Sequence, residues 1–232
     1  AGQIRTAGGS SQALDYCEVT FHGKPAHAAF APQEGINAGS AVTLTEVGIG
    51  LLRQHMPSDV VISSIATTGS AVNVIPETAT MQLEIRGNTA ESWDTAKSRV
   101  RQVVEGAALA AGCSVDIAVP TPGYAPLLQD PDLSEFFDGA LAELRGEDAT
   151  AWGPGMTLGS TDMGDVSRYL PAIHPMIALD GTTATPHQHE FAAAVVSPAG
   201  DAAVLNGAIA LARTAIAAVE DTEVRDRLLS AQ

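Results

Sequence analysis

Between Ala13 and Pro120 two kinds of hydrophobic periodicity follow one another in a fixed order, and this order constrains the fold more than any other feature. The periodicities predict strand, helix, strand, strand, helix, strand. This split βαβ order is typical of a ferredoxin-like sandwich with one sheet and two helices. We therefore predict an α+β ferredoxin-like (βαββαβ) domain over residues 13–120.

The individual elements of this domain follow from alternation and from capping residues. In the first strand Cys17, Val19 and Phe21 alternate with polar neighbours before glycine and proline end the strand. The second helix is predicted to begin at Asn88, with Glu91 three residues later, and to end near Gly112. The other predicted elements are a helix over Asn37–His55 and strands over Val60–Ala66 and Thr78–Arg86.

Residues 121–232 have a different composition and form the second predicted part. Asp130 and Pro131 are typical of a helix cap and first turn, and the helix after them has an apolar face. The sequence after this helix predicts a glycine-rich loop over Gly153–Asp165, a short buried strand over Ile173–Leu179 and an alanine-rich helix over Ala199–Val219. The second part has too few strands to form a complete α/β layer. We therefore expect missing material before Ala1. The apolar face consists of Leu133, Phe136, Phe137, Ala140, Leu141 and Leu144.

The composition excludes several classes of protein. With 45% hydrophobic and 17% charged residues the chain is expected to fold, and a formal charge of -15 argues against binding to nucleic acid or to anionic membranes. The C-terminal apolar run is interrupted by Asn206 and Arg213, so no membrane span is expected. Cys17 and Cys113 suggest neither a disulfide framework nor a cysteine zinc site. We expect a soluble, cytoplasmic protein.

Two groups of polar residues in the first part could carry chemistry. His27 lies in a turn just after the first strand, where it could reach a ligand or could simply be solvated. Asn73 lies in a loop between two strands and Arg86 at the end of the next strand. An amide and a guanidinium offer fixed donors for a carboxylate or an oxyanion, although a turn asparagine and a surface arginine would look the same.

Two further groups lie in the second part. The acidic loop Gly159–Asp165 could bind a metal or could be a glycine-rich turn, and it is neither an EF-hand nor a phosphate loop. His187, His189 and Glu190 crowd two imidazoles and a carboxylate together, but a catalytic zinc site needs about three protein ligands and an open position. His174 lies in an apolar run and is interpreted as a packed core residue.

Taken in order, these groups resemble the M20 family of metallo-aminoacylases, carboxypeptidases and amidohydrolases, especially its aminobenzoyl-glutamate-hydrolase-like branch. The matching segments are G-K-P-A-H-A-A from Gly23, A-V-N-V-I-P from Ala71, E-I-R from Glu84, G-S-T-D-M-G-D-V-S from Gly159 and H-Q-H-E-F from His187. The resemblance covers nearly the whole chain.

The resemblance implies roles for four residues. Residues 13–120 would be a lid that also forms a homodimer, and residues 121–232 would be the C-terminal half of an α/β zinc-peptidase-like catalytic domain. His27 would reach the partner subunit's active site and stabilise the oxyanion, while Asn73 and Arg86 would hold the carboxylate or carbonyl end of the substrate. His187 would be a metal ligand, and His189 would not.

The implied reaction is metal-dependent hydrolysis of an amide bond in an N-acyl amino acid, aminobenzoyl-glutamate or a small peptide. Two zinc, manganese or cobalt ions are implied for the complete enzyme, with possibly none held by this chain. The family's other metal ligands and its general-base glutamate are absent here, so this chain alone is expected to be inactive. The alternatives are a noncatalytic dimerisation or ligand-binding module that has lost the metal site, and an amino-acid-binding regulatory domain that accounts for residues 13–120 only.

Overall fold

A computed structural model describes residues 9–145 and 157–230, and their contacts divide the chain into two compact units. The sheet unit comprises residues 12–126. The helical unit comprises the described residues before 12 and after 126. The chain leaves the sheet unit after Pro126, later than the predicted boundary at Pro120. The reason is that Leu14 and Tyr124 still exchange two backbone hydrogen bonds within the sheet unit.

The regular elements are numbered in chain order. The strands are β1 (Ser10–Ser11), β2 (Ala13–His22), β3 (Ala26–His27), β4 (Val61–Thr67), β5 (Val74–Ile75), β6 (Thr78–Gly87), β7 (Ser114–Ala118) and β8 (Thr157–Leu158). The α-helices are α1 (Ala38–Leu52), α2 (Ala90–Ala111), α3 (Pro131–Arg145), α4 (Met163–Val166), α5 (His189–Val195), α6 (Pro198–Glu220) and α7 (Thr222–Ser230). Short 3-10 turns cover Pro32–Glu34 and Arg53–His55.

A four-stranded antiparallel sheet in the order β4-β6-β2-β7 forms the centre of the sheet unit. Its long strands and helices follow one another along the chain as strand, helix, strand, strand, helix, strand. Alternate side chains of β2 and β6 pack with α1 and α2 in one core, because successive side chains of a strand point to opposite faces. The largest fully buried members of this core are Val19, Phe21, Val42, Met81, Leu83, Val100 and Val104.

The helix predictions in the sheet unit are confirmed except for one cap. Asn37 caps α1 by accepting a hydrogen bond from the Gly39 amide at 2.9 Å, and α2 ends at a left-handed Gly112. The predicted cap at Asn88 is wrong. Thr89 accepts from the Ser92 amide while the Ser92 hydroxyl accepts from the Thr89 amide, so a capping box shifts the start of α2 by one residue.

The helical unit is held by packing of α3 against α6. Phe137 and Leu141 of α3 are fully buried and cluster with Ala210 of α6. Asp130 caps α3 as predicted, since its carboxylate accepts a hydrogen bond from the Leu133 amide at 3.1 Å. By length and composition alone α6 is long and apolar enough to cross a membrane, with a mean hydropathy of 1.7, although α3 covers part of it.

The buried strand predicted over Ile173–Leu179 is wrong. This segment has no regular structure in the described chain, and the His174 side chain is exposed instead of packed in a core. Pro171 and Pro175 flank His174, and proline offers no backbone N–H to a strand ladder. The parallel pairing in this unit joins β1 to β8, and no feature of the sequence predicted β1.

An ion pair between Asp130 and Arg227 links the start of α3 to α7. Both guanidinium NH2 groups of Arg227 donate to the buried Asp130 carboxylate, at 2.8 and 2.9 Å. Burial by itself raises the pKa of Asp130, but the hydrogen bonds from Arg227 and the Leu133 amide outweigh it and hold the pKa below its ordinary value.

We predict that Arg227→Ala lowers the free energy of unfolding by roughly 1–3 kcal/mol at pH 7, because it leaves a buried carboxylate without its cation. A group with a depressed folded pKa stabilises the fold above its unfolded pKa of about 3.9 and loses this contribution as the pH falls through the folded pKa. Urea unfolding at pH 7 and pH 3 should therefore show the difference between wild type and variant shrinking in acid. Arg213→Ala, which breaks an exposed pair with Glu143, is the control and should cost less than about 0.5 kcal/mol.

Candidate functional site

His27 and Asn73 are far apart in sequence but meet in a two-stranded antiparallel pairing of β3 with β5. Ala26 is opposite Ile75 and His27 is opposite Val74. The Ala28 amide then donates to the Asn73 carbonyl at 2.9 Å. The structure therefore brings two of the predicted site residues together on one short ribbon, and both side chains are exposed.

The backbone around His27 fixes which ring nitrogen carries the proton. The amides of Ala29 and Phe30 point at His27 Nδ1, at 3.3 and 3.2 Å. An atom that accepts from N–H donors must be unprotonated, so in the neutral ring the proton lies on Nε2. His27 thus offers an N–H donor directed away from its own turn, which suits it to bind a carbonyl oxygen or an oxyanion.

A bridge between Lys24 and Ile36 holds the loop that carries His27 in place. A Cβ on Gly23 would lie 2.1 Å from the Ile36 carbonyl oxygen, so only glycine allows the bridge between Lys24 and Ile36 that closes the loop carrying His27. Beside the ribbon lies a cavity of about 290 Å³, lined in part by Pro25, Gly69 and Pro76. The ribbon is therefore held by the Lys24–Ile36 bridge and bordered by a cavity, so it is not a free loop.

Arg86 is not close to this ribbon within one chain. It lies near the end of β6 opposite Leu14 and Val61, whereas Thr78, the first residue of β6, is opposite His22 at the other end. Eight positions along a strand correspond to about 27 Å. The Arg86 guanidinium donates to Glu84 at 2.7 Å on the sheet face away from the core.

His187 has an unusual backbone conformation in the helical unit. Its φ is +71°, and it is the one residue other than glycine with a positive φ among those described. Thr185 and Gln188 form the turn around it, since the Thr185 amide donates to Gln188 Oε1 at 2.9 Å. A β-carbon makes this conformation costly, and such strain concentrates at functional sites. His189 instead begins α5 with ordinary helical geometry.

The first four residues of the glycine-rich loop predicted over Gly153–Asp165 lie outside the described residues, and the rest contains β8 and the start of α4. The segment Gly159–Asp165 gains a partner that the sequence analysis missed. His174 Nδ1 and Thr161 Oγ1 form a hydrogen bond of 3.2 Å, and the His174 amide donates to Gln129 Oε1 at 2.7 Å. The flanking prolines could have indicated an exposed histidine, because they argue against a buried strand. The pairing with Thr161 could not have been predicted.

A metal ion would find too few ligands in the described part of the chain. Residues 9–145 and 157–230 contain no group of three histidine, cysteine, aspartate or glutamate side chains that could hold one. A catalytic zinc site uses about three protein ligands and an open position. The described residues therefore do not fit a complete metal centre, and His187 could supply only part of one.

Comparison with known proteins relates these features to one group. Residues 11–111 match the family model of the M20 peptidase dimerisation domain. The Xaa-Arg dipeptidase of Mus musculus is 34% identical over 203 residues, which are 85% of this chain and 46% of that protein. An N-acetyldiaminopimelate deacetylase of Streptococcus thermophilus is 38% identical over 136 residues, or 54% of this chain and 36% of that protein. The chain thus spans less than half the length of these relatives.

Solved structures show the same fold. A hydantoinase/carbamoylase family amidase from Burkholderia vietnamiensis superposes with a TM-score of 0.63 at 20% identity, covering 90% of this chain and 49% of that structure. The aminobenzoyl-glutamate utilization protein of Klebsiella pneumoniae superposes with a TM-score of 0.58 at 21% identity, covering 71% of this chain and 42% of that structure. At these identities the likeness concerns the fold alone.

Proposed function

Because this chain belongs to the M20 peptidase family, we propose that it is the lid and C-terminal portion of a metal-dependent amidohydrolase. The substrate class would be an N-acyl amino acid, aminobenzoyl-glutamate or a small peptide. The observation that carries the proposal is the β3–β5 ribbon, which joins a histidine with a fixed Nε2–H donor to an exposed asparagine. The likeness to a dipeptidase and to deacetylases, whose names all describe cleavage of an amide bond, supports the reaction class.

In this proposal His27 acts on the reacting carbonyl. When a nucleophile attacks an amide, negative charge develops on the carbonyl oxygen, and a positioned N–H donor stabilises that charge. The two backbone amides that point at Nδ1 would keep Nε2–H aimed outward, so little reorganisation is needed during the reaction. Asn73 on the same ribbon would hold the carbonyl or carboxylate end of the substrate, and Arg86 would pair with a carboxylate. The four-stranded unit would be a ferredoxin-like lid.

A divalent metal would supply the activated water in the complete enzyme. We propose that His187 contributes one ligand, with the remaining ligands in residues beyond those described. Two observations support this assignment: the positive φ of His187, and the fact that the matched relatives are about twice as long as this chain. The second histidine of the segment has neither the strained backbone nor the turn around it.

We predict that His187→Ala in the full-length protein removes bound metal and activity, whereas His189→Ala keeps most of both. Metal content by mass spectrometry and amide hydrolysis should be measured on the same preparations. His189 is the matched control because it lies two residues away and is also exposed. If His189→Ala loses metal and His187→Ala retains it, the ligand assignment is wrong.

The lid is also proposed to form a homodimer, and one surface of the sheet unit suits that role. We call it the β4–α1 surface, and it consists of the outer edge of β4 and the exposed stripe of α1. β4 is an end strand of the sheet and contains no charged residue, although exposed edge strands usually carry charges that prevent pairing. The exposed apolar side chains at this edge are Leu44, Val47 and Leu51 of α1 and, on the opposite face of the sheet, Val61 and Ile65 of β4.

The opposite edge of the sheet is protected. β7 carries Asp116, which pairs with His22 at 3.0 Å, and α2 has six charged residues where α1 has one. The apolar helix α1 and the uncharged edge strand β4 are neighbours. They contact each other, and Arg53, just after α1, donates a 2.9 Å hydrogen bond to the Ile62 carbonyl of β4. The partner favoured by a surface with so little charge is a second copy of this chain.

Antiparallel pairing of two β4 strands about a two-fold axis would bring the separated site residues closer. Thr67 ends β4 and leads into the loop that carries Asn73, while Val61 at the other end is the register partner of Arg86. In the dimer Thr67 would be opposite Val61 of the partner subunit. Arg86 of the partner subunit would then lie about two strand spacings, roughly 10 Å, from Thr67. The distance between Arg86 and the β3–β5 ribbon within one chain therefore favours a site made of residues from both subunits.

We predict that Ile65→Lys converts the dimer to a monomer, because it places a positive charge on both β4 strands where they would pair, and like charges on neighbouring strands repel each other. The molar mass from light scattering during size-exclusion chromatography should halve, with unchanged circular dichroism. Leu109→Lys on α2 is the control, since Leu109 is 83% exposed but lies outside this surface. A dimer that persists in Ile65→Lys and dissociates in Leu109→Lys would contradict the assignment.

We predict that His27→Ala in the full-length enzyme lowers kcat by about 100-fold or more with little loss of metal, as expected for removal of one oxyanion donor. Mixing inactive His27→Ala and His187→Ala subunits should restore part of the activity. The reason is that a mixed dimer has one site in which both residues are intact. Activity that stays absent despite proven subunit exchange would mean that His27 does not act across the dimer.

A further inference from the structure

The sheet unit contains a cavity of about 180 Å³ between α2 and the sheet. It lies where two neighbouring strands differ in length. β7 pairs with β2 over residues 18–22, so the first half of β2 extends past the end of β7. Asp15 and Cys17 belong to that extension and line the cavity together with Val119, which follows β7. The lining contains no residue of the β3–β5 ribbon or of the β4–α1 surface, so the cavity is separate from both.

The inner wall of the cavity is part of the apolar core. Val19, Leu83, Val100 and Val104 line it, and each is no more than 2% exposed. Val119 at the rim is 58% exposed, so the cavity runs from the surface into the core. Empty apolar space in a core is destabilising, because the atoms that line it lose packing contacts. A ligand with an apolar body would supply these contacts.

The wall indicates what kind of apolar body fits. Burial, with a smaller contribution from the Asp15 charge, raises the pKa of the Cys17 thiol, so this side chain is uncharged at pH 7 and behaves as a small hydrophobic group. The other uncharged side chains of the lining are valine, leucine and isoleucine. An apolar cavity of about 150 Å³ can hold a benzene ring, so this one accommodates a chain of roughly five or six carbon atoms.

Three charged side chains line the cavity as well, and two of them neutralise each other. Lys97 pairs with Asp15 at 3.3 Å and with Asp94 at 2.9 Å. Its ammonium group also lies 3.5 Å from the centre of the Trp93 ring. These contacts hold Lys97 in place and balance the charge of Asp15.

Arg101 is the cation that remains for a ligand. Its Nε donates to Glu105 at 2.8 Å, but the two side chains are 66% and 50% exposed, and such exposed helix pairs contribute little to stability. A guanidinium has five N–H donors, and the Nε–H on Glu105 uses one of them, so the terminal NH2 groups can bind a carboxylate. With Lys97 and Arg101 against Asp15, the lining has one excess positive charge, which favours an anionic head group.

We propose that this cavity binds a small aliphatic carboxylate, with the chain between α2 and the sheet and the carboxylate on Arg101. The inference goes beyond the proposed function, because it concerns a second binding site that lies within the sheet unit and requires neither metal nor hydrolysis.

The test uses the 232-residue chain labelled with carbon-13 at its isoleucine δ1 methyl groups. Ile117 lines the cavity and is the reporter, with its resonance identified from Ile117→Val. The probe is hexanoate, and hexan-1-ol and hexan-1-amine carry a similar chain with a neutral or a positive head group. We expect the Ile117 resonance to shift with a Kd on the order of 1–10 mM for hexanoate. The alcohol and the amine should bind at least about 5-fold more weakly, because neither can pair with Arg101. Ile49, on α1 and outside the lining, is the internal reference and should not shift.

A pair of arginine variants tests the contact with the head group. Arg101→Gln should weaken hexanoate binding by about 5-fold and leave the binding of hexan-1-ol unchanged, because only the carboxylate uses the guanidinium. Arg99→Gln is the matched control, since it makes the same charge change at an exposed position of α2 outside the lining, and it should bind both probes like wild type.

Cys17→Met tests the cavity itself. The longer side chain would occupy the space of the ligand, so hexanoate and hexan-1-ol should both bind at least about 10-fold more weakly, with circular dichroism confirming that the variant is folded. An Ile117 resonance that moves with no probe, equal binding of the three probes, equal losses in Arg101→Gln and Arg99→Gln, or unchanged binding in folded Cys17→Met would each overturn the inference. Because no turnover is measured, failure here leaves the amidohydrolase proposal to be judged by its own experiments.

Discussion

Ten consecutive residue pairs between β2 and β6 hold the sheet unit together and determine where every candidate residue in it lies. Side chains alternate along both strands, so slipping the register by one residue would move Val19, Phe21, Met81 and Leu83 from the core to the open face. The burial of these side chains therefore stabilises a single register. With the register set, the loops after β2 and before β6 are adjacent, and His27 meets Asn73 at that end of the sheet.

The same pairing separates Arg86 from the ribbon. A strand of ten residues is long compared with an arginine side chain, so residues at its two ends cannot contact one small molecule within a single chain. A site that used all three residues would need a second subunit, and an uncharged edge strand beside an apolar helix is a surface that another copy could cover. The geometry of one strand thus connects the proposed chemistry to the proposed assembly.

In the helical unit, local backbone geometry and single polar contacts place the polar groups. His187 stands out by its positive φ, Asp130 by the bidentate pair with Arg227, and His174 by its hydrogen bond to Thr161. Much of α6 is exposed, and its buried positions, such as Ala210 and Thr214, are those that face its neighbours. A unit of this kind has fewer buried apolar contacts than the sheet unit, and its candidate groups lie in its irregular segments.

The sequence by itself determined the elements whose signals are local. Periodicity predicted β2, β6, α1 and α6, and terminal residues predicted the cap at Asp130 and the end of α2 near Gly112, because each of these depends on neighbours a few residues away. Local rules were less reliable where two residues compete, as Asn88 and Thr89 do for the cap of α2. They failed where an apolar run is interrupted by prolines, as around His174.

Tertiary structure alone decided which residues meet. The pairing of β3 with β5, the parallel contact of β1 with β8 and the approach of His174 to Thr161 join segments whose sequences carry no mark of their partners. The burial of Ser11, and the lack of a hydrogen-bond partner for its hydroxyl among the described residues, depend on atoms supplied by the surrounding fold. The tautomer of His27 and the left-handed backbone of His187 arise in turns only a few residues long, whose conformations the sequence did not reveal. A sequence motif can identify a residue type suited to chemistry, but its distance to a partner, its burial and its protonated nitrogen are set only when the chain packs.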